Sequence, residues 1–110
     1  MNWSDLVDVL TAKVPAGGVT TYAEVSTWAY GKPNRNQPVR SLLRGAANHG
    51  HLILTNRVVA VSGNLVDLPE GREQQEAQLK MEGVPFTTFG AVDFSRVLAI
   101  GLGNNGMHQS

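Results

Sequence analysis

The sequence predicts a mainly α-helical domain with one small β-hairpin, arranged as a winged helix-turn-helix. Three observations lead there. Apolar residues recur at helical spacing in successive segments, each bounded by a capping residue in front and by Gly or Pro behind. Two of these segments are short neighbours, and the second carries arginines off its apolar face, the pattern of a helix-turn-helix. Two apolar runs then flank Ser62-Gly63-Asn64, a turn signal that makes them the arms of a hairpin, or wing. With 110 residues there is room for one core, and a 42% hydrophobic content supports a globular fold over disorder.

Ser4 is placed to cap a first helix running to about Lys13, with Leu6, Val7 and Leu10 on one face and Pro15, Gly17 and Gly18 ending it. Thr21 and Glu24 form a Thr-x-x-Glu capping pattern, so a second helix is expected from about Tyr22 to Ala29, stopped by Gly31. Lys32 to Asn36 reads as a loop. Pro38 fits the first turn of a third helix, where its missing amide hydrogen costs nothing. Val39, Leu42, Leu43 and Ala46 face the core from that helix, Arg40, Ser41 and Arg44 point elsewhere, and Asn48 and Gly50 close it. The apolar run Leu52 to Leu54 follows, then the hairpin arms Arg57–Val61 and Leu65–Val66. A charged helix is expected from Glu70 to Glu82, ending at Gly83 with Pro85 beyond. Val92 to Ile100 suits a strand or a short helix. The expected domain is 1–100, with the Gly- and Asn-rich 101–110 as a flexible tail.

Composition excludes several kinds of chemistry. The absence of cysteine removes disulfides, thiolate metal sites and thiol catalysis together. His49 and His51 lack nearby carboxylates and read as solvated loop histidines, so no metal is expected. No paired carboxylates, Ser-His-Asp set or phosphate-cradling Gly loop is found, and no cofactor is expected. No apolar run approaches the roughly 20 residues that span a bilayer. No charged leader precedes an apolar stretch, so a cytoplasmic location is expected. Formal net charge is zero, yet its distribution is uneven. Lys32, Arg35, Arg40, Arg44 and Arg57 lie between Val25 and Val66 without a carboxylate, and Asp67, Glu70, Glu73, Glu76 and Glu82 follow. One basic and one acidic face should result.

Two segments, in this order, carry a resemblance. Residues 14–25 read Val-Pro-Ala-Gly-Gly-Val-Thr-Thr-Tyr-Ala-Glu-Val, and residues 52–59 read Leu-Ile-Leu-Thr-Asn-Arg-Val-Val. With Ser62-Gly63 and Glu82-Gly83 they resemble the DNA-binding domain of the O6-alkylguanine-DNA alkyltransferases, over roughly residues 5 to 85. That family carries Pro-Cys-His-Arg-Val-Val in the second segment, and its cysteine accepts the alkyl group. Here Thr55 stands at the cysteine position and Asn56 at the histidine position. The chain therefore resembles the alkyltransferase-like branch, which also lacks the family's separate N-terminal domain.

The resemblance implies a non-enzymatic protein that binds double-stranded DNA, holds a flipped O6-alkylguanine, acts as a monomer and flags the lesion to nucleotide excision repair proteins. Tyr22 matches the tyrosine that presses on the target phosphate. Gln37 falls where the family has its intercalating arginine and Arg40 where it has a glycine, so Gln37, Arg35 and Arg40 all stay open for the role of filling the stack. Arg40, Ser41 and Arg44 are expected on phosphates. The lesion pocket is expected from Tyr22, Thr55, Asn56, Val66 and Pro69, supported by Asn48, Arg57 and Glu82.

The chemistry of Thr55 agrees with a binding role. A threonine hydroxyl is too weak an acid to give an anionic nucleophile unaided, and an amide such as Asn56 accepts no proton near neutrality. Two competing readings remain: a winged-helix DNA-binding protein without base flipping, and a protein-interaction module, the latter motivated by zero net charge and the acidic segment Glu70 to Glu82.

Overall fold

A computed structural model describes residues 1–65 and 69–105, apart from the side chains of Pro69 and Glu70. In chain order the elements are α1 (Trp3–Lys13), β1 (Thr20–Thr21), α2 (Tyr22–Tyr30), α3 (Asn36–Asn48), α4 (Leu52–Thr55), β2 (Val58–Val59) and α5 (Pro69–Met81). The molecule is thus mainly helical with one small sheet, the class read from the sequence. Among the described residues no helix is long and apolar enough to cross a membrane.

The cap of α1 is Asn2 rather than Ser4. The Asn2 side chain accepts from the amides of Ser4 (2.9 Å) and Asp5 (3.2 Å), and Asp5 returns the bond by accepting from the Asn2 amide at 3.0 Å. Asn-x-x-Asp makes the same reciprocal cap as Ser-x-x-Glu, and the helix starts accordingly earlier. At α2 the Thr21 hydroxyl accepts from the Glu24 amide at 3.2 Å, and Gly31, at φ 76°, supplies the left-handed residue that ends the helix.

The turn between α2 and α3 is fixed from below. Ser26 is fully buried; its hydroxyl donates to the Lys32 carbonyl and accepts from the Arg35 amide at 2.9 Å. A buried hydroxyl with both roles filled holds a loop that would otherwise carry orphaned polar groups. It sets the angle at which α3 leaves α2.

The sheet differs from a hairpin. β2 pairs in parallel with β1, Thr20 opposite Val58 and Thr21 opposite Val59. All four residues are buried, and a strand covered on both faces suits parallel pairing inside a core. After β2 the chain makes a tight turn in which the Gly63 amide donates to Ala60 O (2.8 Å) and the Ala60 amide to Asn64 O (3.0 Å). Gly63 has φ 90°, and a Cβ there would run into the Val92 carbonyl, so only glycine fits. Of the expected second arm, Leu65 is buried and Val66 lies outside the described residues.

Alternation along β2 joins two apolar clusters. Val58 packs with Leu6, Leu10, Val25, Val39 and Leu102 between α1, α2 and α3, while Val59 packs with Val19, Leu65, Leu79, Val84 and Val92 under α5. Between Val92 and Ile100 there are turns and isolated bridges, Phe86 to Val92 antiparallel and Val19 to Ala99 parallel. The first half of the segment 101–110, expected as a flexible tail, makes contacts with the domain. Leu102 is 1% exposed, its carbonyl accepts from Lys13 Nζ at 3.1 Å, and Asn105 Nδ2 donates to Ala29 O at 3.2 Å. Burial of one leucine and bonds to α1 and α2 hold what Gly and Asn content alone would leave loose. Residues 106–110 lie outside the described residues.

Candidate nucleic-acid interface

The apolar stripe of α3 faces α1 and α2, which turns Arg40, Ser41 and Arg44 outward; all three are exposed. Arg40 and Arg44 are one turn apart on the same side. Beside them opens a cavity of about 330 Å³. α3 lines it through Arg40, Leu43, Arg44, Ala47 and Asn48, α4 and the following turn through Leu52, Thr55, Asn56 and Val58, α2 through Tyr22, and α5 through Gly71 and Gln75. Tyr22 and Thr55 therefore share one cavity next to the basic helix.

Other expected residues stand elsewhere. Gln37 and Arg35 are exposed at the start of α3 and line neither this cavity nor its neighbour, and Ser41 is likewise outside both. Asn48, expected to support the site, is exposed at the end of α3 and lines the cavity. Val66 and the side chain of Pro69 lie outside the described residues.

The Thr55 turn is held by hydrogen bonds on every side. The Thr55 hydroxyl donates to Leu52 O at 3.1 Å, closing the single turn of α4. Asn56 Nδ2 donates to Gln78 Oε1 at 2.8 Å, and Gln78 Nε2 donates to Ile53 O (2.8 Å) and Glu82 Oε2 (3.2 Å). Gln75, 4% exposed, spends both amide hydrogens on the carbonyls of Asn56 (2.9 Å) and Val58 (3.2 Å). Arg57 donates from Nε to Glu82 Oε1 at 3.0 Å, from Nη2 to Glu82 Oε2 at 2.7 Å, and from Nη1 to Val14 O at 3.2 Å.

Glu82 is pulled two ways. Burial is the largest single influence and disfavours its charge. The hydrogen bonds and charge of Arg57, with Gln78 and the Gly17 amide, together outweigh burial and hold the carboxyl below its usual range. Near neutrality Glu82 is therefore ionised, with its oxygens engaged by Arg57, Gln78 and the Gly17 amide. Asn56 reaches it only through the Gln78 amide, which relays no proton to a base. The arrangement can orient a ligand, and among the described residues no carboxylate or imidazole lines the cavity with Thr55.

Gln75 and Gln78 were not singled out from the sequence. Their signal was there: both fall within one turn of the buried Leu79, in a helix whose other polar residues are mostly charged. An uncharged amide on an inward face points to backbone groups needing partners.

A second cavity, of about 430 Å³, lies across Tyr22 and Arg40 from the first. Ala23, the turn residues Pro33 and Asn34, Asn36, and Ala60, Val61 and Leu65 from the Gly63 turn complete it. His49 and His51 are not merely solvated. Trp3 stacks on His49 with ring centroids 4.2 Å apart and meets His51 at 5.6 Å, while His49 Nδ1 lies 2.7 Å from Gly45 O. No group of three metal-ligating side chains occurs among the described residues.

No protein-family model matches the chain, and no curated protein matches it either. Among solved structures it is similar to S. pombe Atl1 in complex with damaged DNA containing O6-carboxymethylguanine. The superposition has a TM-score of 0.62 at 23% identity and covers 82% of this chain and 89% of that one. What the likeness establishes is architecture: this chain has the fold of S. pombe Atl1.

Proposed function

We propose that this chain is a non-enzymatic, monomeric DNA-binding protein that takes a flipped O6-alkylguanine-type base into the Tyr22–Thr55 cavity and flags it for nucleotide excision repair in the cytoplasm. The observation that carries the reading is the cavity itself: it opens between exposed Arg40 and Arg44 and the Thr55 turn, in a fold whose S. pombe counterpart was solved on damaged DNA. The volume of about 330 Å³ is at the lower end of small-ligand pockets and suits one nucleobase. Duplex DNA must give up a base for it to enter such a site. Thr55 and Asn56 hold no acceptor for an alkyl carbon, so the complex ends at binding.

A titration tests this. Duplexes with and without one O6-methylguanine are compared over a range of salt. Tighter binding to the lesion, with a clear salt slope from phosphate contacts, is expected. Equal affinity for both duplexes removes lesion recognition, and a slope near zero removes DNA binding.

The position of Gln37 supports a second reading, a winged helix that binds DNA without extruding a base. Gln37 is exposed and outside both cavities, and it lacks the charge of an arginine. A base analogue that brightens when unstacked, placed at the target position, separates the two. Brightening on binding supports flipping, and tight binding without brightening supports the second reading.

A further inference from the structure

The second cavity, of about 430 Å³, lies beside the one assigned to the flipped base. Two residues, Tyr22 and Arg40, line both cavities. Whatever occupies one cavity therefore touches the same two groups as whatever occupies the other. A polymer passing these two residues would place consecutive units on either side.

The lining is chemically specific. Asn34 and Asn36 give it two primary amides, each a donor and an acceptor in one plane, the chemistry that matches the paired donor and acceptor of a base edge. Arg40 is the charged group, and no carboxylate lines the cavity among the described residues, so a phosphate can approach. Val61, 65% exposed, and Leu65 form an apolar wall opposite, fit for a sugar or a thymine methyl. The backbone carrying both walls is held in place: buried Ser26 ties the Lys32 carbonyl to the Arg35 amide on either side of Asn34 in the chain, and the Val92 amide donates to Gly63 O at 2.9 Å, two residues after Val61. Selectivity between similar ligands needs such fixed groups, because a loose wall adapts to any of them.

We propose that this second cavity is a flanking-nucleotide subsite, in which the amides of Asn34 and Asn36 read the base next to the lesion while Tyr22 and Arg40 divide the two nucleotides. The proposal rests on the DNA-binding reading above and adds to it a dependence on sequence context. It makes Asn34 and Asn36 specificity residues and leaves alkyl recognition to the Thr55 cavity.

The test uses the full chain and a panel of duplexes carrying O6-methylguanine or guanine at one position, with each of the four base pairs on either side. The wild-type chain should show a spread of about tenfold in Kd between best and worst flank, the size of one good base-edge contact. Asn34→Ala, Asn36→Ala and the double variant should shrink that spread while leaving the ratio between lesion and guanine unchanged. Both side chains are exposed, so the variants should fold, and thermal melts check this. A wild-type chain indifferent to its flanks overturns the subsite, as does a spread that survives the double variant. A chain that reads flanks on plain and damaged duplexes alike, with no preference for the lesion, keeps the subsite and overturns the proposed function instead.

Discussion

Arg57 and Glu82 meet in a two-point ion pair, with 3.0 Å from Nε to Oε1 and 2.7 Å from Nη2 to Oε2, and the third arm of the guanidinium reaches the Val14 carbonyl. Three distant stretches, the end of α1, the turn after Thr55 and the end of α5, are thereby fastened together. The side chains are 11% and 13% exposed, so the pair is largely shielded from water. Its planar fork and full set of bonds are what make such burial tolerable.

Glu82→Gln should therefore cost about 3 kcal/mol, because it leaves the Arg57 charge buried without its counterion. Chemical denaturation at neutral pH measures this. The pH dependence follows from the lowered pKa of Glu82: its share of stability is complete above the ordinary carboxylate range and is lost as pH falls through the lowered folded-state value. Wild type should lose stability in that acidic window, and the Gln variant should show a shallower decline. Equal slopes in both would contradict the assignment.

Gln75→Ala should destabilise by about 2 kcal/mol. Its amide satisfies the Asn56 and Val58 carbonyls in a buried place, and removal strands both. Since those carbonyls belong to the turn that lines the cavity, lesion affinity should fall further than the affinity for undamaged duplex. Parallel Kd measurements on the two duplexes read the difference.

Thr55→Cys should not create an alkyltransferase. The new thiol would sit beside Asn56, whose Nδ2 is engaged by Gln78 and which cannot take a proton. Mass spectrometry of the intact variant after incubation with O6-methylguanine duplex should find no added methyl above background. A stoichiometric methyl adduct would show that the site activates a thiol by another route.

Arg40→Ala and Arg44→Ala should each weaken DNA binding and lower the slope of log K against log salt by roughly 0.9, one phosphate contact apiece. Arg57→Ala should destabilise the fold and leave that slope unchanged, because its charge is committed to Glu82. The three slopes, measured on folded protein, separate a surface cation from a structural one.

Much of this could be read along the chain, and the reason is range. The Thr21 cap, the glycine stops and the apolar faces of α1 and α3 depend on residues within a turn or two of each other, so local sequence decides them. The expectation of a binding role needs no geometry, since it follows from the residue types of Thr55 and Asn56 alone. Arg40 and Arg44 face outward because Val39, Leu42, Leu43 and Ala46 face in.

The tertiary structure decided what depends on distant partners. β2 chose β1 rather than its neighbour in sequence, because pairing in parallel buries Val58 and Val59 in two cores at once. Leu102 and Asn105 are held by α1 and α2, which no count of glycines could reveal. Gln75 bonds a carbonyl 19 residues away and Arg57 a carboxylate 25 residues away. The two cavities sharing Tyr22 and Arg40 exist only once α2 and α3 are brought together with α4 and α5 on one side and the Gly63 turn on the other. Local sequence fixes which atoms each element offers, and packing alone fixes which of them share a space.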